Sequence, residues 1–156
     1  MISYCTAISK YEATDLLHGY ERKGRPPVDG YGYVAWIGIE PAESPLRRFP
    51  QQRQLLLRFD DVTLPQDGDS VRVYHSMENV EYFTREHAAQ IVAFTRELHD
   101  DHRPWALLIH CTAGISRSTA TALWVREHYT GVKEHHSEFG WRPNKTVARL
   151  LREVAR

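Results

Sequence analysis

Cysteine is scarce in this chain: Cys5 and Cys111 are the only two among 156 residues. That excludes a disulfide-stapled scaffold and a four-cysteine zinc site, and leaves one conceivable bridge. An excess of either charge is also missing, because twenty Lys and Arg balance twenty Asp and Glu. A chain with no net charge is not built to coat nucleic acid or an anionic membrane, although a local basic pocket stays open to it. Long apolar runs are absent too. The longest, Tyr33 to Ile39, falls far short of the ~18 residues that suggest a membrane span. Met1-Ile2-Ser3-Tyr4-Cys5 shows no charged leader ahead of an apolar core, so no signal peptide is expected. There is no internal repeat and no low-complexity tract. Together these absences predict a soluble, cytoplasmic protein with neither a nucleic-acid nor a membrane partner.

What is present is ordinary in bulk. Hydrophobic residues make up 42% and charged residues 26%, as in a typical soluble domain. Residues 1–156 suit one domain, and at this length folding buries roughly two-thirds of the unfolded surface.

The local pattern alternates strands and helices. Ile2 to Ile8 reads as an edge strand and Tyr11 to Tyr20 as a short helix. Glu21 to Gly32, with Gly24, Pro26, Pro27, Gly30 and Gly32, reads as a long loop. Tyr33 to Ile39 is a continuous apolar run, as in a strand buried on both faces. Gln54 to Phe59 is a further strand, followed by Asp60-Asp61, and Val62 to Val80 looks irregular. Thr84 is placed to cap a helix whose Ala88, Ile91, Val92, Thr95 and Leu98 share one face. Trp105 to Ile109 reads as a buried strand, Ser118 to Tyr129 as a helix, and Val147, Leu150, Leu151 and Val154 as the last helical stripe, begun by Pro143-Asn144. The expected fold is α/β: a single domain with a central, largely parallel sheet flanked by helices. In such sheets, sites form at the carboxyl ends of strands. Two of those ends carry unusual chemistry here, Phe59-Asp60-Asp61 and Ile109-His110-Cys111.

The informative segment is His110-Cys111-Thr112-Ala113-Gly114-Ile115-Ser116-Arg117-Ser118. A buried strand runs into a cysteine, small residues follow, and an arginine opens a helix. A short loop leading into a helix amino terminus turns its backbone N–H groups inward as a nest for an anion. Gly114 permits a backbone turn that a side chain would obstruct. Arg117 offers a planar fork matched to two oxygens of a tetrahedral oxyanion. A thiol at the base of such a positive bowl drops from ~8.5 to roughly 3.5–7.5 in pKa, and is then a thiolate nucleophile at neutral pH.

The pattern His-Cys-x5-Arg-Ser resembles the signature of the cysteine-dependent protein tyrosine phosphatases, closest to the compact dual-specificity-like branch and its bacterial relatives. Nine consecutive residues fit it, and Arg142-Pro143-Asn144 before the final helix is similar to a pair late in those enzymes. The resemblance implies a protein tyrosine phosphatase-like fold and a cysteinyl-phosphate mechanism needing no cofactor and no metal. Cys111 is then the nucleophile. The backbone of Thr112, Ala113, Gly114, Ile115, Ser116 and Arg117, with the Arg117 guanidinium, binds phosphate. Ser118 donates to the thiolate, and His110 orients the loop and supports the thiolate from behind.

The family also needs a general acid on a loop after an upstream strand. Leu57-Arg58-Phe59-Asp60-Asp61 resembles that place and favours Asp61, with Asp60 next. Cys111 follows Asp61 by fifty positions, more than the compact relatives usually have, so Glu78, Glu81, Asp67 and Asp69 remain in contention. No lysine stands in the loop, which tilts the expected substrate toward phosphotyrosine, or a dual-specificity range, over inositides. The partner is a phosphorylated protein or a small phosphomonoester. Two rival classes share the bowl: a phosphate-binding module without a working acid, and a sulfur-transfer enzyme of the rhodanese type. The paired histidines His99/His102 and His135/His136 lack metal-ligand spacing and read as solvated loop residues.

Overall fold

The strand Trp105–Cys111 is buried at every position, which requires protein on both faces and both edges. A computed structural model describes residues 1–39, 44–67, 80–134 and 141–156 and supplies those neighbours. The strands are β1 (Ile2–Ser9), β2 (Tyr33–Ile39), β3 (Arg53–Leu57), β4 (Trp105–Cys111) and β5 (Lys133–Glu134). They form one sheet in the order β3-β2-β4-β1-β5, and every pairing is parallel. β1 is therefore not an edge strand as its sequence suggested. β5 pairs outside it through Tyr4 and Cys5, and two residues are too few to carry a period visible in sequence.

Alternation along the strands divides the core. Leu107 and Ile109 pack with Ile91, Leu98, Trp124, Val147 and Leu151 from α2 (Arg85–Asp100), α3 (Arg117–His128) and α4 (Lys145–Val154). Leu108 faces the other way and packs with Ala13 and Leu17 of α1 (Lys10–Lys23), and with Trp36, Leu46 and Phe49. The sheet thus lies between α1 and the three other helices, as period-two side chains demand. Each fully buried Leu or Ile contributes roughly 1.5–3 kcal/mol.

The ends of the elements follow local chemistry. Ser9 and Glu12 form a capping box at the start of α1, and left-handed Gly24 (φ 61°) ends it. The helix thus runs through Arg22 and Lys23, three residues into the expected loop. Thr84 and His87 cap α2 reciprocally. Two 3₁₀ turns, Pro45–Arg48 and Pro65–Asp67, occupy stretches that sequence left irregular. The second is tied to α4, where Asp67 accepts from Thr146 Oγ1 at 2.7 Å and pairs with Arg149. Among the described residues no helix is long and apolar enough to cross a membrane.

Parallel register brings the site together. Ser9 lies opposite Cys111, and Gly38 opposite His110. The carboxyl ends of β1, β2 and β4 therefore meet where the strand passes into α3.

Candidate active site

β4 continues to Cys111, two residues beyond its expected end, so the cysteine is the last residue of a buried strand and the loop begins directly after it. The carbonyls of that loop are turned to the protein. Thr112 O accepts from Lys10 N at 3.3 Å, Ile115 O from Arg142 N at 3.0 Å, and Ser116 O from both Ala120 N and Asn144 N. Gly114 O accepts from Thr119 Oγ1 at 3.1 Å. In contrast, none of the N–H groups from Ala113 to Arg117 has a hydrogen-bond acceptor among the described residues. Ser116, the N-cap of α3, makes no side-chain cap. The amino end of the helix and the loop leading to it thus offer a row of unanswered donors, the arrangement that binds an oxyanion.

Gly114 makes this turn possible. Its φ is 72°, and a Cβ there would lie 2.5 Å from Ile8 C and 2.6 Å from Ser9 N. The loop is folded hard against the end of β1, and only glycine satisfies both the angle and the approach.

Arg117 is 6% exposed and turned inward. Nη1 donates to Phe59 O at 2.9 Å and Nη2 to Thr112 Oγ1 at 3.0 Å. Its Nε is buried without a partner, so the guanidinium keeps donors for a ligand. Cys111 is 2% exposed, and Thr112 and Ala113, which follow it, are exposed. Its Sγ lies 3.1 Å from Ser118 Oγ. Two surface depressions, one beside β3 and one between α3 and α4, are lined by neither Cys111 nor Arg117.

His110 is fully buried. Burial pushes its imidazole down to about 4; the backbone of Cys111 opposes that drop, and the charges of Arg117 and Lys10 add to it. It is a neutral ring at working pH, so any support it lends the sulfur comes through orientation and not through positive charge.

The acid candidates separate clearly. Asp61 Oδ1 accepts from Ser116 Oγ at 2.7 Å and from Asn144 Nδ2 at 2.8 Å, which sets its carboxylate against the last residue of the loop. Asp60 faces Glu81: its N–H donates to Glu81 O at 2.7 Å, and its Oδ2 accepts from Glu81 N at 2.9 Å. Glu81 pairs with Arg58 at 3.1 Å, and Asp67 is committed to Arg149 and Thr146. Glu78, Asp69, His135 and His136 lie outside the described residues.

Three participants had no functional signal in sequence. Asn144 was legible as a helix cap and as part of the resembling Arg142-Pro143-Asn144 run, with no role assigned to it; it does cap α4 through Val147 N, and it also bonds Asp61 and Val62 O. The Phe59 carbonyl anchors Arg117, and Ser44 touches His110. Cys5 is far from Cys111. Register pairs Cys5 with Leu107 and Ser9 with Cys111, an offset of four residues or about 13 Å, beyond disulfide reach. His99 is no loop residue either: it lies on α2 and stacks on Tyr129, with ring centroids 4.4 Å apart. Comparison with protein-family models, curated proteins and solved structures finds no match to the chain.

Proposed function

We propose that this protein is a cysteine-dependent phosphomonoesterase of the protein tyrosine phosphatase type. It has that family's fold and acts on phosphotyrosine or across a dual-specificity range. The observation that carries the proposal is the asymmetry of the loop after Cys111. Among the described residues the carbonyls of Thr112, Gly114, Ile115 and Ser116 have donors, the N–H groups from Ala113 to Arg117 have no acceptors, and Arg117 Nε is buried without a partner. A buried donor left unanswered, as Arg117 Nε is, costs about 1–3 kcal/mol, and a bound phosphate supplies acceptors for it and for the loop N–H groups.

Chemistry follows in two steps. The Cys111 thiolate attacks phosphorus in line, an S–P bond forms, and the ester P–O bond breaks as Asp61 gives its proton to the leaving oxygen. Asp61, now a carboxylate, takes a proton from water. The water oxygen attacks phosphorus, the S–P bond breaks, and inorganic phosphate leaves. Ser118 Oγ, 3.1 Å from the sulfur, donates to the thiolate as it departs. Charge on the equatorial oxygens is met by the loop N–H groups and Arg117, and preorganised donors of this kind are worth about 10²–10³ in rate apiece. A reducing, cytoplasmic setting suits an enzyme whose two cysteines are both free.

The test is hydrolysis of an aryl phosphate in the presence of a chelator. Turnover is expected, and Cys111→Ser abolishes it while phosphate still binds. Phosphate binding without turnover would leave a binding module, and sulfur transfer from thiosulfate would point to the rhodanese alternative.

A further inference from the structure

Behind the nucleophile lies a buried polar pair that no step above uses. Ser44 is 6% exposed and His110 0% exposed, and Ser44 Oγ lies 2.9 Å from His110 Nε2. Ser44 Oγ already accepts from Leu46 N at 3.3 Å. A hydroxyl owns one hydrogen, and among the described residues the only acceptor within its reach is Nε2. With Nε2 as that acceptor, the ring proton of neutral His110 sits on Nδ1.

Nδ1 is buried with no hydrogen-bond partner among the described residues, so the described side-chain contact that orients the ring is the one to Ser44. His110 directly precedes Cys111 at the end of β4, so the setting of this ring bears on the peptide that opens the loop. Space for the pair is reserved by Gly38, where a Cβ would lie 2.8 Å from Ser44 Oγ and 2.9 Å from His110 Nε2.

We propose that Ser44 is a positioning residue of the site. By donating to Nε2 it selects the Nδ1–H form of His110 and fixes the ring whose backbone leads directly into Cys111 and the loop. The kinetic consequence rests on the phosphatase reading; the ring form does not.

The experiment has two arms. Histidine-selective long-range ¹H–¹⁵N spectra of the full-length protein, with His110 assigned by the signal lost in His110→Gln, are expected to show a neutral Nδ1–H ring. Ser44→Ala is expected to move that signal toward Nε2–H, to lower phosphate affinity about tenfold, and to leave the thermal midpoint within a few degrees. A wild-type ring protonated on Nε2 overturns the proposal whether or not the variant folds. An unchanged ring form and unchanged phosphate affinity in Ser44→Ala overturn it as well. Should the protein bind phosphate but turn over no ester, the phosphatase reading fails while both arms remain readable.

Discussion

Ser116 Oγ donates to Asp61 Oδ1 at 2.7 Å across 55 positions of chain. The last residue of the loop after Cys111 thus holds the only carboxylate among the described acid candidates that touches that loop. Asn144 Nδ2 donates to the same oxygen at 2.8 Å. The described hydrogen bonds to this carboxylate all fall on Oδ1, so under the proposed mechanism Oδ2 is the oxygen to deliver the proton.

Asp61→Ala is expected to lower turnover of phenyl phosphate by roughly 10²–10⁴, the usual value of general acid catalysis. With p-nitrophenyl phosphate, whose leaving group needs little protonation, the loss is expected to be much smaller. Steady-state rates on both esters check this. Asp60→Ala, which unties Glu81, is expected to show no such dependence on leaving group. The opposite pattern would move the acid to Asp60.

Gly114→Ala and Gly131→Ala make a matched pair. Both glycines are left-handed, at φ 72° and 79°, and each substitution incurs strain of about 1–3 kcal/mol. Only Gly114 is also crowded: a methyl added there would stand 2.5–2.8 Å from the backbone of Ile8 and Ser9, whereas one at Gly131 would meet nothing within 4 Å. Urea melts are expected to rank Gly114→Ala as the more destabilised, and phosphate binding is expected to vanish in that variant alone. Equal losses in the two would mean the loop does not press on β1.

His110 makes stability depend on pH. Its folded value is pushed down to about 4 by burial, against ~6.5 in an unfolded chain. Below pH ~6.5 the unfolded state takes up a proton that the folded state refuses. This contribution is complete above that pH and is lost as pH falls through the folded value, by up to about 3 kcal/mol. Denaturant melts between pH 7 and pH 4.5 are expected to show a steeper decline for wild type than for His110→Gln. Parallel slopes would mean the ring is not buried neutral.

Gly38→Ala tests the space behind the nucleophile. The added methyl would stand 2.8 Å from Ser44 Oγ and 3.0 Å from Leu46 Cδ1. Overpacking of this kind costs roughly 1–3 kcal/mol. A lowered melting point together with weakened phosphate binding is expected. Wild-type values for both would mean the Ser44–His110 pair moves aside freely.

Most of the fold was legible because its signals are local. The apolar run Tyr33–Ile39, the stripe from Ala88 to Leu98 and the capping residues Ser9 and Thr84 each act within a few positions of themselves. The failures were of longer range. β1 lost its expected edge to β5, whose Lys133 and Glu134 carry no period. α1 outran its predicted end because Gly24, not Glu21, supplies the left-handed stop.

Sequence by itself determined the Cys111-to-Arg117 cradle, because strand, glycine turn and helix start are encoded within nine adjacent residues and answer to short-range sterics. Tertiary structure alone decided which carboxylate meets that cradle, since Asp60 and Asp61 are chemically alike and only Ser116 and Asn144 tell them apart. It also put Ser44 against His110 and kept Cys5 away from Cys111. Such choices depend on parallel register between distant strands, and no local pattern of residues carries that register.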